Sequence, residues 1–164
     1  MNKLSICQIV DYTTVDGPGF RTTIYAAGCA HQCPGCHNPA TWNYENGQMM
    51  APEEVLRHVE ENIFSDVTFS GGDPLFQPEA FSRLAKLIKE QTAKNIWCYT
   101  GFLFENVMNN SRLQQILPYI DVLVDGPFVA KLKQEDLRFK GSSNQRIIDV
   151  QKSLIKGEAI CLAL

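Results

Sequence analysis

Short apolar runs alternate with longer segments of helical periodicity along most of this chain. Four runs rich in β-branched and aromatic residues predict strands, and a glycine follows each within two residues; they span 22–27, 67–69, 95–100 and 120–124. Residues 145–150 predict a further strand. Apolar positions three or four residues apart predict helices over 52–64 and 78–90 and a partly helical stretch over 104–117. Strand and helix signals therefore alternate.

This alternation predicts an α/β protein built from right-handed βαβ units with a parallel sheet. In such folds ligands bind at the carboxyl ends of the strands. The unusual stretches of this chain all follow predicted strands; they are the cysteine-rich loop 28–36, Gly71-Gly72-Asp73-Pro74, Thr100-Gly101 and Asp125-Gly126. We therefore expect them to converge on a single active site at one edge of the sheet.

Composition excludes several classes of protein. With 164 residues, 45% apolar and 20% charged, the chain predicts a single globular domain over 1–164 rather than a disordered protein. Its 15 basic and 18 acidic residues give a net charge of -3, which offers no basic surface for nucleic acid or an anionic membrane. No apolar run approaches the roughly 20 residues that span a bilayer, and no signal peptide is evident. We expect a soluble, cytoplasmic protein.

Three of the six cysteines lie within eight residues, in Cys29-Ala-His-Gln-Cys33-Pro-Gly-Cys36. Clustered cysteines in an intracellular protein are typical of a metal or catalytic site rather than a disulfide framework. Thiolates favour an iron–sulfur cluster, zinc or copper(I). A structural zinc site needs four ligands, and His31 or His37 would complete it only with strain. A redox dithiol of Cys33 and Cys36 would leave Cys29 unused. Spacing alone ranks an iron–sulfur cluster first and zinc second.

The C-x3-C-x2-C spacing directly after a strand resembles that of the radical S-adenosylmethionine enzymes. The preceding Asp16-Gly-Pro-Gly-Phe-Arg21 looks like the D-G-P-G-x-R stretch of the activases of glycyl-radical enzymes. Further stretches resemble the family of anaerobic ribonucleoside-triphosphate reductase activating proteins; they are Cys33-Pro-Gly-Cys36-His-Asn38, Thr41-Trp42, Ser70-Gly-Gly-Asp-Pro-Leu75, Tyr99-Thr-Gly101, Val124-Asp-Gly126 and Gly141-Ser-Ser-Asn-Gln-Arg146. The resemblance implies a partial (β/α) barrel with a mostly parallel sheet and an active site at the C-terminal ends of its strands.

The resemblance also implies two cofactors. Cys29, Cys33 and Cys36 would bind three irons of a 4Fe-4S cluster, whose fourth iron would bind S-adenosyl-L-methionine. No catalytic residue is implied beyond the cluster and this cofactor. The residues implied to contact the cofactor are Gly35, Cys36, His37, Gly71, Gly72, Asp73 and Asp125. The 71–73 stretch would hold the methionine amino group, whereas a helix N-cap is about as good an account of Asp125.

The implied substrate is a large glycyl-radical protein, the anaerobic ribonucleotide reductase, whose glycine loop Asp16 or Asp125 would contact. A low-potential donor such as a flavodoxin would supply electrons. Activation of another glycyl-radical enzyme, such as pyruvate formate-lyase, ranks lower. Those activases are usually longer, and they carry Asp-Leu-Lys where this chain has Asp125-Gly-Pro127, so the lysine contact to methionine is absent or made by another residue. A zinc-binding interaction module is the alternative from another class of protein.

Four further points concern individual positions. Many radical S-adenosylmethionine enzymes carry an aromatic residue where this chain has Gly35. Gly72→Ala should obstruct the cofactor without disturbing the cluster, because the three cysteines lie on another loop. We expect the remaining cysteines to be small core residues; they are Cys7, Cys98 and Cys161. For the 141–146 stretch the sequence suggests no mechanism.

Overall fold

A computed structural model describes residues 2–36 and 39–163. Seven strands form one sheet; they are β1 (Leu4–Thr13), β2 (Arg21–Ala26), β3 (Gln48–Met50), β4 (Asp66–Gly71), β5 (Ile96–Tyr99), β6 (Val122–Asp125) and β7 (Arg146–Asp149). The helices are α1 (Pro52–Glu61), α2 (Pro78–Gln91), α3 (Phe104–Met108) and α4 (Val150–Lys156). Within the described ranges, no helix is both long enough and apolar enough to cross a bilayer.

The strand order is β3-β1-β2-β4-β5-β6-β7. The four strands β2, β4, β5 and β6 run parallel, whereas β1, β3 and β7 pair antiparallel at the two sides. The predicted α/β class and parallel sheet centre are therefore confirmed. The sheet is open, because no ladder joins β3 to β7 among the described residues, so a barrel is not confirmed.

Most predicted elements are present, with shifted boundaries. The strands predicted at 22–27, 67–69, 95–100 and 120–124 are β2, β4, β5 and β6, and the stretch 145–150 contains β7. The stretch 104–117 contains α3 and the start of a separate 3-10 turn. The sequence did not predict β1, whose register with β2 shifts between Ile6 and Gln8 and again between Val10 and Thr13. Such irregularities break the alternation by which a strand is recognised.

The two faces of the sheet are different. One carries the main core, in which Ile24, Phe69 and Leu123 are fully buried together with side chains of α1 and α2. Because successive side chains of a strand point to opposite faces, the neighbouring positions lie on the other face. There Trp97 and Val124 belong to a second, smaller apolar cluster. The loops that cross this second face leave room for a cavity at the carboxyl ends of the parallel strands.

Arg21 fastens the loop between β1 and β2 to this second face. Its side chain is only 1% exposed. Nε donates to Thr68 Oγ1 at 2.7 Å, Nη1 to Pro18 O at 3.0 Å and Nη2 to Val67 O at 2.8 Å. Burial lowers the pKa of Arg21, and its guanidinium lies 5.5 Å from the ring centroid of Trp97. The arginine that ends the D-G-P-G-x-R stretch is therefore an internal brace.

Arg21→Lys is expected to destabilise the fold by about 2–4 kcal/mol, because a lysine ammonium cannot reproduce the planar guanidinium group that donates to several buried acceptors at once. At roughly 2–4 °C per kcal/mol, thermal unfolding would show this clearly. Arg83→Lys is the matched control, since Arg83 pairs with Glu53 at the exposed surface, and its melting temperature should stay at the wild-type value. Equal melting temperatures for the two variants would contradict the bracing role.

Candidate functional site

A cavity of about 490 Å³ lies at the carboxyl ends of the parallel strands. Its wall joins the stretches that follow β2, β4, β5 and β6; the residues include Cys29, Cys33, Cys36, Gly71, Gly72, Thr100, Gly101 and Gly126. The predicted convergence of these stretches on one edge of the sheet is confirmed. Sites for small molecules and cofactors typically have volumes of roughly 300–1,000 Å³, so this cavity has the size of a cofactor site.

The cysteine loop is shaped by backbone contacts at both of its ends. Cys29 N donates to Trp42 O at 3.1 Å, so the loop begins alongside the segment that follows it. Cys36 N donates to Cys33 O at 3.1 Å, which closes a turn through Pro34. Gly35 occupies this turn with φ +77°, a conformation that glycine adopts without strain. The turn therefore brings Cys33 and Cys36 to the same cavity wall.

The donor set of this cavity includes the three cysteine thiols of the loop. None of the three cysteines is in a disulfide. Across residues 2–36 and 39–163, no three His, Cys, Asp or Glu side chains converge as ligands of one metal ion. Zinc needs its ligands about 2.0–2.3 Å from a single point, whereas in an iron–sulfur cluster each cysteine binds a different iron. His37, which is predicted to contact the cofactor, lies outside the described residues.

The protonation of Cys29 reflects its surroundings. Burial raises the pKa of the Cys29 thiol, and the nearby Asp73 carboxylate adds to this effect, while backbone hydrogen bonds from His31 and Gln32 oppose it. Iron binds the thiolate, so occupation of the site displaces this proton. Of the other cysteines, Cys98 is buried as expected, whereas Cys161 is exposed and is wrongly predicted as a core residue.

Gly71 ends β4 and packs against β2, whereas Gly72 packs against the start of the cysteine loop. A Cβ atom on Gly72 would lie 2.5 Å from Gly28 O and 2.6 Å from Thr41 O. Gly71 has φ +104°, and a Cβ there would lie 2.4 Å from Ala26 N. The expectation that Gly72→Ala leaves the cluster loop undisturbed is therefore wrong, because the methyl group would meet backbone atoms next to Cys29. Cofactor contact by Gly71 and Gly72 stays a prediction.

Asp73 is 1% exposed, and protein donors surround its carboxylate. Oδ1 accepts from Leu75 N at 2.9 Å. Oδ2 accepts from Thr100 Oγ1 and Gly101 N, both at 2.9 Å, and lies 2.8 Å from His31 Nε2. The carboxylate thus links the end of β4 to the end of β5 and to the cysteine loop. Its contact with the cofactor stays a prediction.

Asp125 is fully buried, and it is not the N-cap residue of α3, which is Leu103, although its carboxylate contacts the start of that helix. Oδ2 accepts from Phe104 N, the first residue of α3, at 2.8 Å. Arg146 pairs with the same carboxylate and also with Glu105, and the hydrogen bond to Asp125 raises the pKa of Arg146. Asp125 is not among the residues that line the cavity. A contact with cofactor or substrate stays a prediction, whereas its hydrogen bond to the start of α3 is shown.

Asp16 does line the cavity, and Tyr25 orients it. The Tyr25 hydroxyl donates to Asp16 Oδ2 at 2.7 Å, and the backbone carbonyl of Asp16 accepts from Thr68 Oγ1 at 2.7 Å. Burial raises the pKa of Tyr25, and the hydrogen bond to Asp16 raises it further. Tyr25 therefore stays protonated and keeps the Asp16 carboxylate at the cavity wall.

Comparison with known proteins adds independent evidence about this site. Residues 15–148 match the family described as a 4Fe-4S single cluster domain. The chain is 37% identical over 139 residues to the anaerobic ribonucleoside-triphosphate reductase-activating protein of Enterobacteria phage T4. The aligned region covers 81% of this chain and 86% of the relative. The protein of the same name in Escherichia coli K12 is 37% identical over 145 residues, which cover 80% of this chain and 89% of the relative. The protein of that name in Vibrio cholerae is 36% identical over 154 residues, which cover 85% of this chain and 94% of the relative. The chain belongs to this family of reductase-activating proteins.

The structure bears on one departure of this reductase-activating protein from the pattern that its sequence resembles. Gly35 stands where many radical S-adenosylmethionine enzymes carry an aromatic residue. A Cβ on Gly35 would lie 3.5 Å from Cε1 of Phe128, which comes from the loop after β6 and lines the cavity. An aromatic ring is thus present beside the turn, supplied by a different segment. Nothing in the local sequence around Gly35 reveals this.

The 141–146 stretch of this family member forms a compact turn on the loop after β6. Gly141 N and Ser142 N both donate to Gln145 Oε1, at 2.8 and 3.1 Å, and Gln145 Nε2 donates to Gly126 O at 3.0 Å. This turn places Lys140 in the cavity wall, where Nζ donates to Gln145 O at 3.0 Å. Lys140 makes no ion pair with a carboxylate in the described part of the chain. Sequence reasoning missed Lys140, and its position beside 141–146 was the available signal.

Proposed function

We propose that this chain activates an anaerobic ribonucleoside-triphosphate reductase by generating a glycyl radical on it. The observation that carries the proposal is the convergence of Cys29, Cys33 and Cys36 with Gly71 and Gly72 in one cavity. The names of the relatives and the match to a 4Fe-4S domain support it. The three cysteines would hold a 4Fe-4S cluster, and the rest of the cavity would accommodate S-adenosyl-L-methionine on its open iron. This makes the protein a radical S-adenosylmethionine oxidoreductase.

Cys29, Cys33 and Cys36 would hold the cluster, which together with S-adenosylmethionine would supply the one-electron radical chemistry needed to remove a hydrogen atom from a glycine of the reductase. The chain itself has to bind and orient the cluster and S-adenosylmethionine and to exclude water from them. Gly71 and Gly72 would offer backbone carbonyls to the methionine amino group. Phe128 and Trp42 contribute apolar surface beside the cysteines. A low-potential donor such as a flavodoxin would deliver the electron.

Lys140 is the residue that we assign to the carboxylate of S-adenosylmethionine. This chain has Pro127 where the formate-lyase activases have a lysine, and Lys140 supplies an ammonium group to the same cavity from the segment before β7. Within residues 2–36 and 39–163, the one hydrogen bond of its side chain is to the carbonyl of Gln145, which leaves donors available for a carboxylate.

Lys140→Gln is expected to weaken S-adenosylmethionine binding by roughly tenfold, since hydrogen bonds to charged groups contribute about 1.5–3 kcal/mol. Equilibrium binding to the cluster-loaded protein measures this, with the decarboxylated form of the cofactor as a second ligand. The wild type should prefer the complete cofactor, and Lys140→Gln should show a smaller preference. Lys133→Gln, at an exposed position, is the control. An unchanged preference in Lys140→Gln would exclude the assignment.

The decisive test of the function is reconstitution under strict anaerobiosis. The cluster-loaded chain is mixed with a reductant, S-adenosylmethionine and a candidate glycyl-radical enzyme, and the electron paramagnetic resonance spectrum is recorded. We expect a glycyl-radical signal with the anaerobic ribonucleotide reductase. A signal with pyruvate formate-lyase alone would favour the alternative substrate. A colourless protein that binds zinc and no iron would identify an interaction module instead.

A further inference from the structure

His31 lies in the cysteine loop between Cys29 and Cys33 and is not one of the proposed ligands. Its Nε2 is 2.8 Å from Asp73 Oδ2. Its ring makes edge contacts with Phe76 and Phe102, with centroid separations of 5.1 and 4.6 Å. The side chain is 19% exposed, which is low for a polar residue in a loop. The middle of the cysteine loop is therefore held by a side chain that turns into the protein.

The acceptor of this contact is fixed independently of His31. Leu75 N, Thr100 Oγ1 and Gly101 N all donate to the Asp73 carboxylate at 2.9 Å. Thr100 and Gly101 directly follow β5, while Asp73 follows β4. Because three donors from two strand ends already orient Asp73, this carboxylate presents a rigid acceptor to His31.

Gly101 provides the space that the imidazole occupies. A Cβ on Gly101 would lie 2.6 Å from Cδ2 and 2.8 Å from Nε2 of His31. The backbone of Gly101 does not have a positive φ, so its conformation is open to other residues. The reason for glycine at this position is the room that it leaves for His31.

We propose that His31 is a positioning residue that anchors the cysteine loop to the ends of β4 and β5 through Asp73. The anchor lies two residues from Cys29 and two from Cys33, so it restricts the conformations of both thiols before iron binds. A loop that is already ordered loses less conformational entropy when its thiols are fixed on a cluster. The inference rests on the cluster of the proposed function, although it does not depend on S-adenosylmethionine or on the protein substrate.

The contact also gives the Asp73 carboxylate a defined task. Asp73 N donates to Gly28 O at 2.9 Å, so the same residue holds the loop at its beginning through the backbone and at its middle through the side chain. The stretch after β4 thus supports the cysteine loop directly, and Asp73 acts through His31 rather than by touching iron.

The experiment compares the rate at which a ferrous-iron chelator removes iron from anaerobically reconstituted proteins. His31→Ala should lose iron roughly tenfold faster than the wild type, the lower end of what removal of a residue that supports metal ligands produces. His31→Gln should recover part of the loss, because its amide N–H can donate to Asp73. His58→Ala is the matched control, since His58 forms a surface pair with Asp11 at the same 2.8 Å distance.

Two further measurements separate positioning from general destabilisation. The melting temperatures of the iron-free proteins should differ little between wild type, His31→Gln and His58→Ala. Gly101→Ala should accelerate iron release as His31→Ala does, because its methyl group displaces the imidazole without removing a hydrogen-bonding side chain. If His31→Ala does not fold, His31→Gln and Gly101→Ala decide the question by their release rates.

The outcomes distinguish this inference from the proposed function. A wild-type chain that binds no iron and sulfide would overturn the cluster and this inference with it. If the cluster-loaded wild type releases iron at the same rate as His31→Ala and Gly101→Ala, the anchoring role of His31 is overturned and the cluster of the proposed function is not.

Discussion

Replacing any one of Cys29, Cys33 and Cys36 with alanine is expected to abolish the cluster, because three protein ligands leave one iron open already. After anaerobic reconstitution, iron and sulfide per chain should fall below about a tenth of the wild-type value, since a cluster with two cysteines lacks enough thiolates to hold it. Chemical iron and sulfide analysis measures the loss. The visible absorbance of the cluster and radical formation on the reductase should disappear with it.

Cys161→Ser is the control for these variants. Its thiol is exposed and lies outside the cavity, so iron and sulfide should stay at the wild-type level. Circular dichroism of each variant must show an intact fold before its iron content is interpreted. Loss of iron from Cys161→Ser, or full retention of the cluster in Cys33→Ala, would refute the ligand assignment.

Gly72→Ala is expected to weaken both the fold and the cysteine loop. Its methyl group would enter the space of Gly28 O and Thr41 O, and backbone atoms cannot move aside as the end of a flexible side chain can. Overpacking of this kind costs about 1–3 kcal/mol or more, which corresponds to roughly 2–12 °C in melting temperature. Because Gly28 precedes Cys29, iron content should fall as well.

Gly157→Ala separates steric collision from backbone strain. Gly157 has φ +81°, and no described residue beyond its two chain neighbours has an atom within 4 Å of its Cβ position. The Gly157→Ala variant therefore measures only the cost of the left-handed backbone, about 1 kcal/mol. Its iron content should be unchanged. If Gly72→Ala instead kept its melting temperature and iron while losing S-adenosylmethionine binding, the collision would be with the cofactor and not with Gly28.

The two glycines illustrate where sequence reasoning succeeded and where it did not. Glycines directly after a strand indicate a close backbone approach, and the structure shows one. The protein atoms nearest to a Cβ on Gly72 belong to residues 28 and 41, and the sequence did not predict this contact. Those residues lie more than 30 residues away along the chain, and no local pattern encodes their distance from Gly72.

For the charged residues, too, the sequence predicts the position along the sheet and only the tertiary structure shows the contacts. Asp73 follows β4 and Asp125 ends β6, and these positions alone place both near the carboxyl edge of the sheet. Only the tertiary structure shows that Asp73 receives four protein donors and that Asp125 is buried against Arg146. Lys140 reaches the cavity because the 141–146 turn is fastened to Gly126, a contact between segments about 20 residues apart.

The sequence by itself determined the α/β class, the parallel direction of the central strands, the edge at which the cavity lies and the clustering of three cysteines there. These properties follow from local periodicity, from residue type and from the rule that parallel strands end on one edge. The tertiary structure decided which groups meet at that edge. It places His31 beside Asp73, Phe128 beside Gly35 and Lys140 in the cavity wall. These contacts come from long-range packing, which the local sequence around each residue does not predict.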